Sequence, residues 1–310
     1  MDQVIRELLR RPENKRLYGQ RQVPVADGQV PLKKSGKTLP EDEKGTWANA
    51  RKLHRSLIYR LRKYARKDAA ARKLSRVLKS CRPKRRCCNA ACARCNYAAQ
   101  GLWAELMKDF MEGGIELDRC VTIIAPGRIL PDNSEGEVVV ERFRRKLDAA
   151  FDTANVSIMI GAFDFDCSEF PDGEFRDHSR PHNHGLGLSA ECDPADSLIR
   201  KHFPNKNSIN KPVEISSYDD RVNWLWYMLK IPNTRKIRRR ADGSDEDSEI
   251  QAPSNYKSLR VEQHIQQALL LDRLGWLGRF YLRGVEIKKS PLGYWKLISL
   301  QKIIPRANPQ

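Results

Sequence analysis

Val156-Ser-Ile-Met-Ile-Gly-Ala-Phe-Asp-Phe-Asp166 is followed, beyond the turn signal Pro171-Asp172-Gly173, by Pro181-His182-Asn183-His184-Gly185-Leu186. The first segment is a short apolar run ending in alternating carboxylates, which predicts a strand over Val156–Asp166. The second carries glycine in alternate places and predicts the next strand over His182–Ser189. Strand residues two apart point to the same face, so both imidazoles project together, about 7 Å apart at their roots. Hairpin pairing then sets one carboxylate beside them, Asp164 or its alternative Asp166. Two imidazoles and a carboxylate suit a divalent ion such as Mg2+ or Mn2+ that also holds substrate oxygens. A packed histidine pair is the plainer alternative. His54, His178, His202 and His264 lack this spacing and read as ordinary surface residues.

Outward from this pair, Cys120–Ala125 predicts a strand closed by Pro126-Gly127, and Val138–Phe151 an amphipathic helix with Phe143, Leu147 and Phe151 four apart. Pro194–Phe203 predicts a helix, Val213–Tyr218 a strand and Asp219–Ile231 a helix. The order βαββαβ plus one helix predicts an α+β fold, an antiparallel ferredoxin-like palm with two helices on one face. The last helix carries Tyr227 and Lys230, three apart and so on one side. A tyrosine attacks phosphorus as its phenolate, which a pKa of about 10 disfavours at neutral pH. A neighbouring cation and a metal both favour it. The alternative is an interfacial tyrosine beside a snorkelling lysine.

The charge is uneven. The chain carries a net +18, and residues 51–100 hold 17 basic side chains against one acidic, Asp68. Such a block repels itself unless a polyanion neutralises it, and nucleic acid is the common one. Leu53, Leu57, Leu61 and Tyr64 recur at helical spacing, predicting one amphipathic helix over about Ala48–Lys79. Arg51, Lys52, Arg55, Arg62, Lys63, Arg66, Lys84, Arg85 and Arg86 are the candidate phosphate contacts, which give affinity without sequence preference. A solvated helix face is the competing reading.

Five of the eight cysteines lie between Cys81 and Cys95. Cys92-Ala-Arg-Cys95 is a knuckle whose thiolates grip a tetrahedral ion, and the favoured zinc ligands are Cys81, Cys87, Cys92 and Cys95, with Cys88 the alternative to Cys87. Nearby arginines and lysines favour the thiolates. A redox Cys-x-x-Cys or a set of reduced thiols competes with zinc. Cys120, Cys167 and Cys192 stand alone and read as small buried thiols.

Asn96 to about Gly113 predicts a helix, Arg235–Glu249 a charged loop, and Leu259–Leu277 then Trp295–Leu300 a helix and strand. The expected organisation is an N-terminal segment (1–45), a basic zinc-binding helical region (46–115), a catalytic palm (116–232), a charged loop (233–254) and a small C-terminal extension (255–310). The zinc region is expected to be modular, aiding DNA affinity but not chemistry on a short oligonucleotide. No apolar run approaches about 18 residues and the N-terminus is charged, so no membrane span or signal peptide is expected, and a cytoplasmic protein is.

Three motifs in order, over about Arg119–Ile231, resemble the rolling-circle replication initiators, the two-histidine (HUH) single-strand endonucleases. Cys120-Val-Thr-Ile-Ile-Ala-Pro126 resembles the family's first strand, Pro181-His182-Asn183-His184 its metal motif and Tyr227-Met-Leu-Lys230 its nucleophile motif. A cysteine knuckle ahead of the palm resembles some bacterial plasmid and mobile-element members. The resemblance implies that His182, His184 and Asp164 bind Mg2+ or Mn2+, that Tyr227 attacks a scissile phosphate, and that Lys230 steadies the developing charge. It implies a 5′-phosphotyrosine bond and a free 3′-hydroxyl, with single-stranded DNA at a replication origin as substrate and a host helicase and polymerase as partners. Asn183 departs from the family, which has a bulky apolar residue there, and only one suitably placed tyrosine is present. A non-enzymatic zinc-containing DNA-binding regulator is the alternative function.

Overall fold

A computed structural model describes residues 7, 47–64, 67–83, 85–127, 129, 135–169, 178–204, 211–218, 222–230, 234–237, 255–289 and 295–300. The predicted 1–45 segment, apart from Glu7, lies outside them, as do Pro171-Asp172-Gly173, Arg66, Lys84 and residues 238–254 of the charged loop.

Three helices come first: α1 (Trp47–Tyr64), α2 (Ala69–Lys79) and α3 (Ala93–Glu112). The single helix expected over Ala48–Lys79 is two. Asp68, the one acid of the basic block, accepts hydrogen bonds from the amides of Ala70 (2.7 Å) and Ala71 (3.1 Å) and so starts α2 afresh. Leu57 and Leu61 on α1, with Leu74 and Leu78 on α2, are buried in the core.

Next come β1 (Arg119–Ile124), α4 (Gly136–Thr153), β2 (Met159–Glu169), β3 (His178–Gly187), α5 (Ser189–His202), β4 (Val213–Ser217) and α6 (Val222–Tyr227). After it come β5 (Thr234–Ile237), β6 (Asn255–Ser258), α7 (Val261–Arg279, broken at Gly275, whose φ is 60°), β7 (Phe280–Arg283), β8 (Val285–Lys289) and β9 (Trp295–Ser299). The chain is thus mixed α+β. Its main sheet runs β4-β1-β3-β2-β5-β6, with β7 also on β2. Pairing is antiparallel except between β2 and β5.

Three strands of this sheet were not expected. Thr-Arg-Lys-Ile of β5 and Asn-Tyr-Lys-Ser of β6 lack apolar alternation, and β7 directly continues a helical run. The long β2 makes room for them: β7 pairs with its first residues (159–162) and β5 with its last (167–169).

Alternation along β2 and β3 separates two faces. Phe163 points to one, where it meets Phe143 of α4 (ring centroids 5.6 Å apart) and Tyr281 of β7 (6.1 Å). His182, His184 and Asp164 occupy the other. The alternating glycines of β3 permit tight packing: a Cβ on Gly187 would stand 2.6 Å from the Cys192 sulfur on α5. Cys120, Cys167 and Cys192 are buried, as expected of small apolar thiols.

Candidate active site and metal centre

β3 sets His182 opposite Asp164 of β2 and Ile124 of β1, and His184 opposite Ala162 and Thr122. Both rings and the Asp164 carboxylate are buried. The ring centroids of the histidines are 5.9 Å apart. Each carboxylate serves one imidazole: His184 Nε2 lies 3.9 Å from Asp164 Oδ2, and His182 Nε2 lies 3.8 Å from Asp166 Oδ2. Thr122 Oγ1 holds His184 Nδ1 at 3.1 Å, which orients the ring so that Nε2 faces the carboxylate. Thr122 was not anticipated, although a threonine on the strand beside the His-x-His strand was the available signal.

Tyr227 and Lys230 join this face. The helix expected to reach Ile231 stops at Tyr227, because the chain turns with the Lys230 amide bonded to the Tyr227 carbonyl (3.0 Å). The turn, rather than one helical face, brings Lys230 Nζ within 2.6 Å of the Tyr227 hydroxyl and 2.8 Å of Asp164 Oδ2. The Tyr227 ring stands edge-on to His184 at 4.9 Å and stacks on Trp224 at 5.5 Å. As a whole residue Tyr227 leaves 39% of its surface open to solvent, while its hydroxyl lies against Lys230. Burial raises the Tyr227 pKa above its ordinary value, with the nearby Lys230 charge opposing that rise. Burial would lower the Lys230 pKa, but Asp164, then Tyr227 and Asp166, carry it well above the usual lysine range. The lysine is therefore a fixed cation.

The cysteines form a tighter group. Sγ of Cys81 is 3.7 Å from those of Cys92 and Cys95, and Cys87 Sγ is 3.6 Å from Cys95 Sγ. A zinc tetrahedron with bonds of about 2.3 Å has edges of about 3.8 Å, so these four sulfurs stand at ligand spacing. They can hold a metal such as zinc. The adjacent pair is resolved: Cys87 faces the cluster, whereas Cys88, at φ 55°, directs its sulfur to the Arg86 carbonyl. Hydrogen bonds from the other three thiols hold the Cys81 thiol far below its usual range, while burial pushes Cys92 up.

His54, expected at the surface, is buried with Nδ1 3.4 Å from Cys92 Sγ. Burial, and then the Arg94 charge, lowers its pKa to about 4, so a neutral imidazole packs against the sulfurs. His264 is likewise buried, with Nδ1 3.0 Å from Arg60 Nη1.

Among the described residues the cysteine quartet is the one group of three or more metal-ligand side chains whose ligand atoms all lie within 4.8 Å of one another. His182, His184 and Asp164 are neighbours on one face without drawing in to that spacing, and the Lys230 ammonium rests on the Asp164 edge.

Of the candidate phosphate contacts, Arg51, Lys52, Arg55, Arg62 and Lys63 on α1 are exposed, as is Arg85. Arg72, Lys73, Arg76 and Lys79 extend the cationic surface along α2. Arg86 must be removed from the set. It is 3% exposed, its Nη1 donates to the Arg94 carbonyl (3.2 Å) and its guanidinium lies 5.0 Å from the Trp47 ring centre, so it is a packing residue.

No helix among the described residues is long and apolar enough to cross a membrane. Compared with known proteins, the chain matches no family model, no curated protein and no solved structure.

Proposed function

We propose that the chain is a metal-dependent enzyme that nicks and rejoins single-stranded DNA, acting as a replication initiator of a plasmid or mobile element. The observation that carries this is the approach of the Tyr227 hydroxyl to Lys230 Nζ (2.6 Å) beside the His184 ring. A tyrosine that is partly exposed as a residue, next to a fixed cation and two imidazoles, has the parts a phosphodiester transesterification needs. The strand order β4-β1-β3-β2, with α4 and α5 as crossovers, supports a ferredoxin-like palm.

In this reading the phenol oxygen bonds to the scissile phosphorus as the phosphorus–O3′ bond breaks. The phenol gives up its proton and the leaving oxygen gains one, yielding a 5′-phosphotyrosine and a 3′-hydroxyl. Lys230 donates to the phenol oxygen and stabilises its anion against the cost of burial. His182 and His184, with Asp164 or Asp166, are the residues that would hold Mg2+ or Mn2+. Their nitrogen and oxygen donors fit such an ion once Lys230 yields the Asp164 edge. When bound, the ion polarises the phosphate. The exposed arginines and lysines of α1 and α2 hold the strand through its phosphates. The cytoplasm is the proposed location, with a replication origin, host helicase and host polymerase as partners.

The test is incubation of the purified protein with Mn2+ and origin-containing single-stranded DNA, reading the covalent protein–DNA adduct in a denaturing gel. Wild type forms it and Tyr227→Phe binds DNA without forming it. An adduct that persists in Tyr227→Phe refutes the nucleophile assignment. No adduct from wild type on any such strand leaves the other reading, a non-enzymatic zinc-containing DNA-binding regulator, which the exposed cationic helices support by themselves.

A further inference from the structure

Cys92 caps the N-terminus of α3 and Cys95 lies within its first turn, so two of the four sulfurs are part of the start of that helix. The next residue, Asn96, is 2% exposed and its amide reaches the tyrosine turn. Its Nδ2 donates to the Leu229 carbonyl at 2.6 Å. One turn further along α3, Gln100 Nε2 donates to the Trp226 carbonyl at 2.8 Å. The fully buried Arg279, at the end of α7, completes the set: Nη1 donates to Asn96 Oδ1 at 2.5 Å and Nη2 to the Lys230 carbonyl at 3.1 Å.

The last carbonyls of any helix lack partners within it. Three of those at and beyond the end of α6 take theirs from these side chains: Trp226 from Gln100, Leu229 from Asn96 and Lys230 from Arg279. A six-residue helix has little stability of its own. Its hold on Tyr227 and Lys230 therefore comes from its neighbours, from α3 through Asn96 and Gln100 and from α7 through Arg279, and the start of α3 carries two of the cysteines.

We infer that metal binding at Cys81, Cys87, Cys92 and Cys95 positions the Tyr227–Lys230 turn, with Asn96 as the positioning residue that carries the coupling. The cysteine region is then a brace for the palm instead of the separable module that the sequence suggests. The significance for catalysis rests on the nicking function proposed above, but the coupling itself is a property of the protein without DNA.

The full-length, zinc-loaded protein tests this by hydrogen–deuterium exchange of the segment 222–230, with β2 and β3 as internal reference and zinc content measured alongside. Stripping zinc from the reduced protein should speed exchange at 222–230 by roughly tenfold, the scale of one lost buried hydrogen bond, and leave β2–β3 unchanged. Zinc-loaded Asn96→Ala should show the same acceleration while keeping its metal, and stripping it should add little more. Gln100→Ala should accelerate exchange to a smaller extent and serves if Asn96→Ala does not fold. The inference is overturned if stripping loosens residues 81–95 but not 222–230, or if all segments loosen alike. Because exchange is read without substrate, a missing DNA adduct would overturn the proposed chemistry and leave this coupling standing.

Discussion

Lys230 Nζ lies 2.8 Å from Oδ2 of Asp164, a carboxylate with no solvent exposure. Asp164 Oδ1 has no hydrogen bond among the described residues, and this ammonium is the cation in direct contact with the carboxylate. The same ammonium touches the Tyr227 hydroxyl, and it therefore links the acidic strand to the candidate nucleophile.

Removing one partner of a buried pair leaves an uncompensated charge, which costs about 3–5 kcal/mol. Because Lys230 keeps 31% of its side-chain exposure, the lower end applies, and Lys230→Met should destabilise the fold by about 3 kcal/mol in urea unfolding. Adding Asp164→Asn should recover most of the loss. A Lys230→Met protein as stable as wild type would show that the pair contributes nothing.

The sulfur geometry separates two neighbouring thiols. Cys87→Ser should lower the zinc content of the purified protein, and Cys88→Ser should retain one ion per chain. Metal analysis of the two variants distinguishes them, and the reverse result would reassign the fourth ligand. The retained variant also serves as a control for thiol loss.

Arg51→Glu with Arg55→Glu should weaken binding to single-stranded DNA irrespective of sequence. It should reduce the slope of log affinity against log salt by about 1.4, or roughly 0.7 for each phosphate contact on a single strand. Arg86→Ala should leave that slope unchanged and lower the melting temperature, since Arg86 is buried against Trp47. Salt titration and thermal unfolding measure the two effects separately.

Burial, and then the Arg60 charge, hold His264 at a pKa of about 4 in the folded protein against 6.5 as an unperturbed residue. Between these values the unfolded chain binds the extra proton and the folded chain does not. Stability from this group is complete above about pH 6.5 and is lost as pH falls towards 4, by about 3 kcal/mol at most. His264→Asn, whose amide oxygen can still accept from Arg60, should flatten the stability profile over that window. An unaltered profile in denaturant titrations from pH 7 to 4 would exclude the histidine as its source.

Much of the site can be read from local pattern. Alternation along a strand is a consequence of backbone geometry, so His182 and His184 share a face whatever surrounds them, while Asp164 joins that face through the β2–β3 register that sets it opposite His182. The cysteine spacing picks out the four clustered thiols except for the choice between Cys87 and Cys88, which the backbone at Cys88 decides by turning at positive φ. Exposure of Arg51, Arg55 and Arg62 on α1 follows from helical periodicity, while Arg86, outside any helix, follows no such rule. The helix α6 ends at Tyr227 although the apolar run Trp224–Leu229 continues past it, because side chains from α3 and α7 bond the carbonyls there and set the turn after it.

The amino-acid sequence by itself determined the α+β element order over residues 119–227, the shared face of the two histidines, the basic block and the cysteine cluster. Each depends on residues close together in the chain, where bond geometry and residue chemistry leave a periodic trace. Tertiary structure alone decided that Lys230 neutralises Asp164, that His54 packs against Cys92, and that β7 joins β2. It also decided that Asn96 supports Leu229 across 133 residues of chain. Contacts over such separations arise when the core closes, and no local periodicity records them.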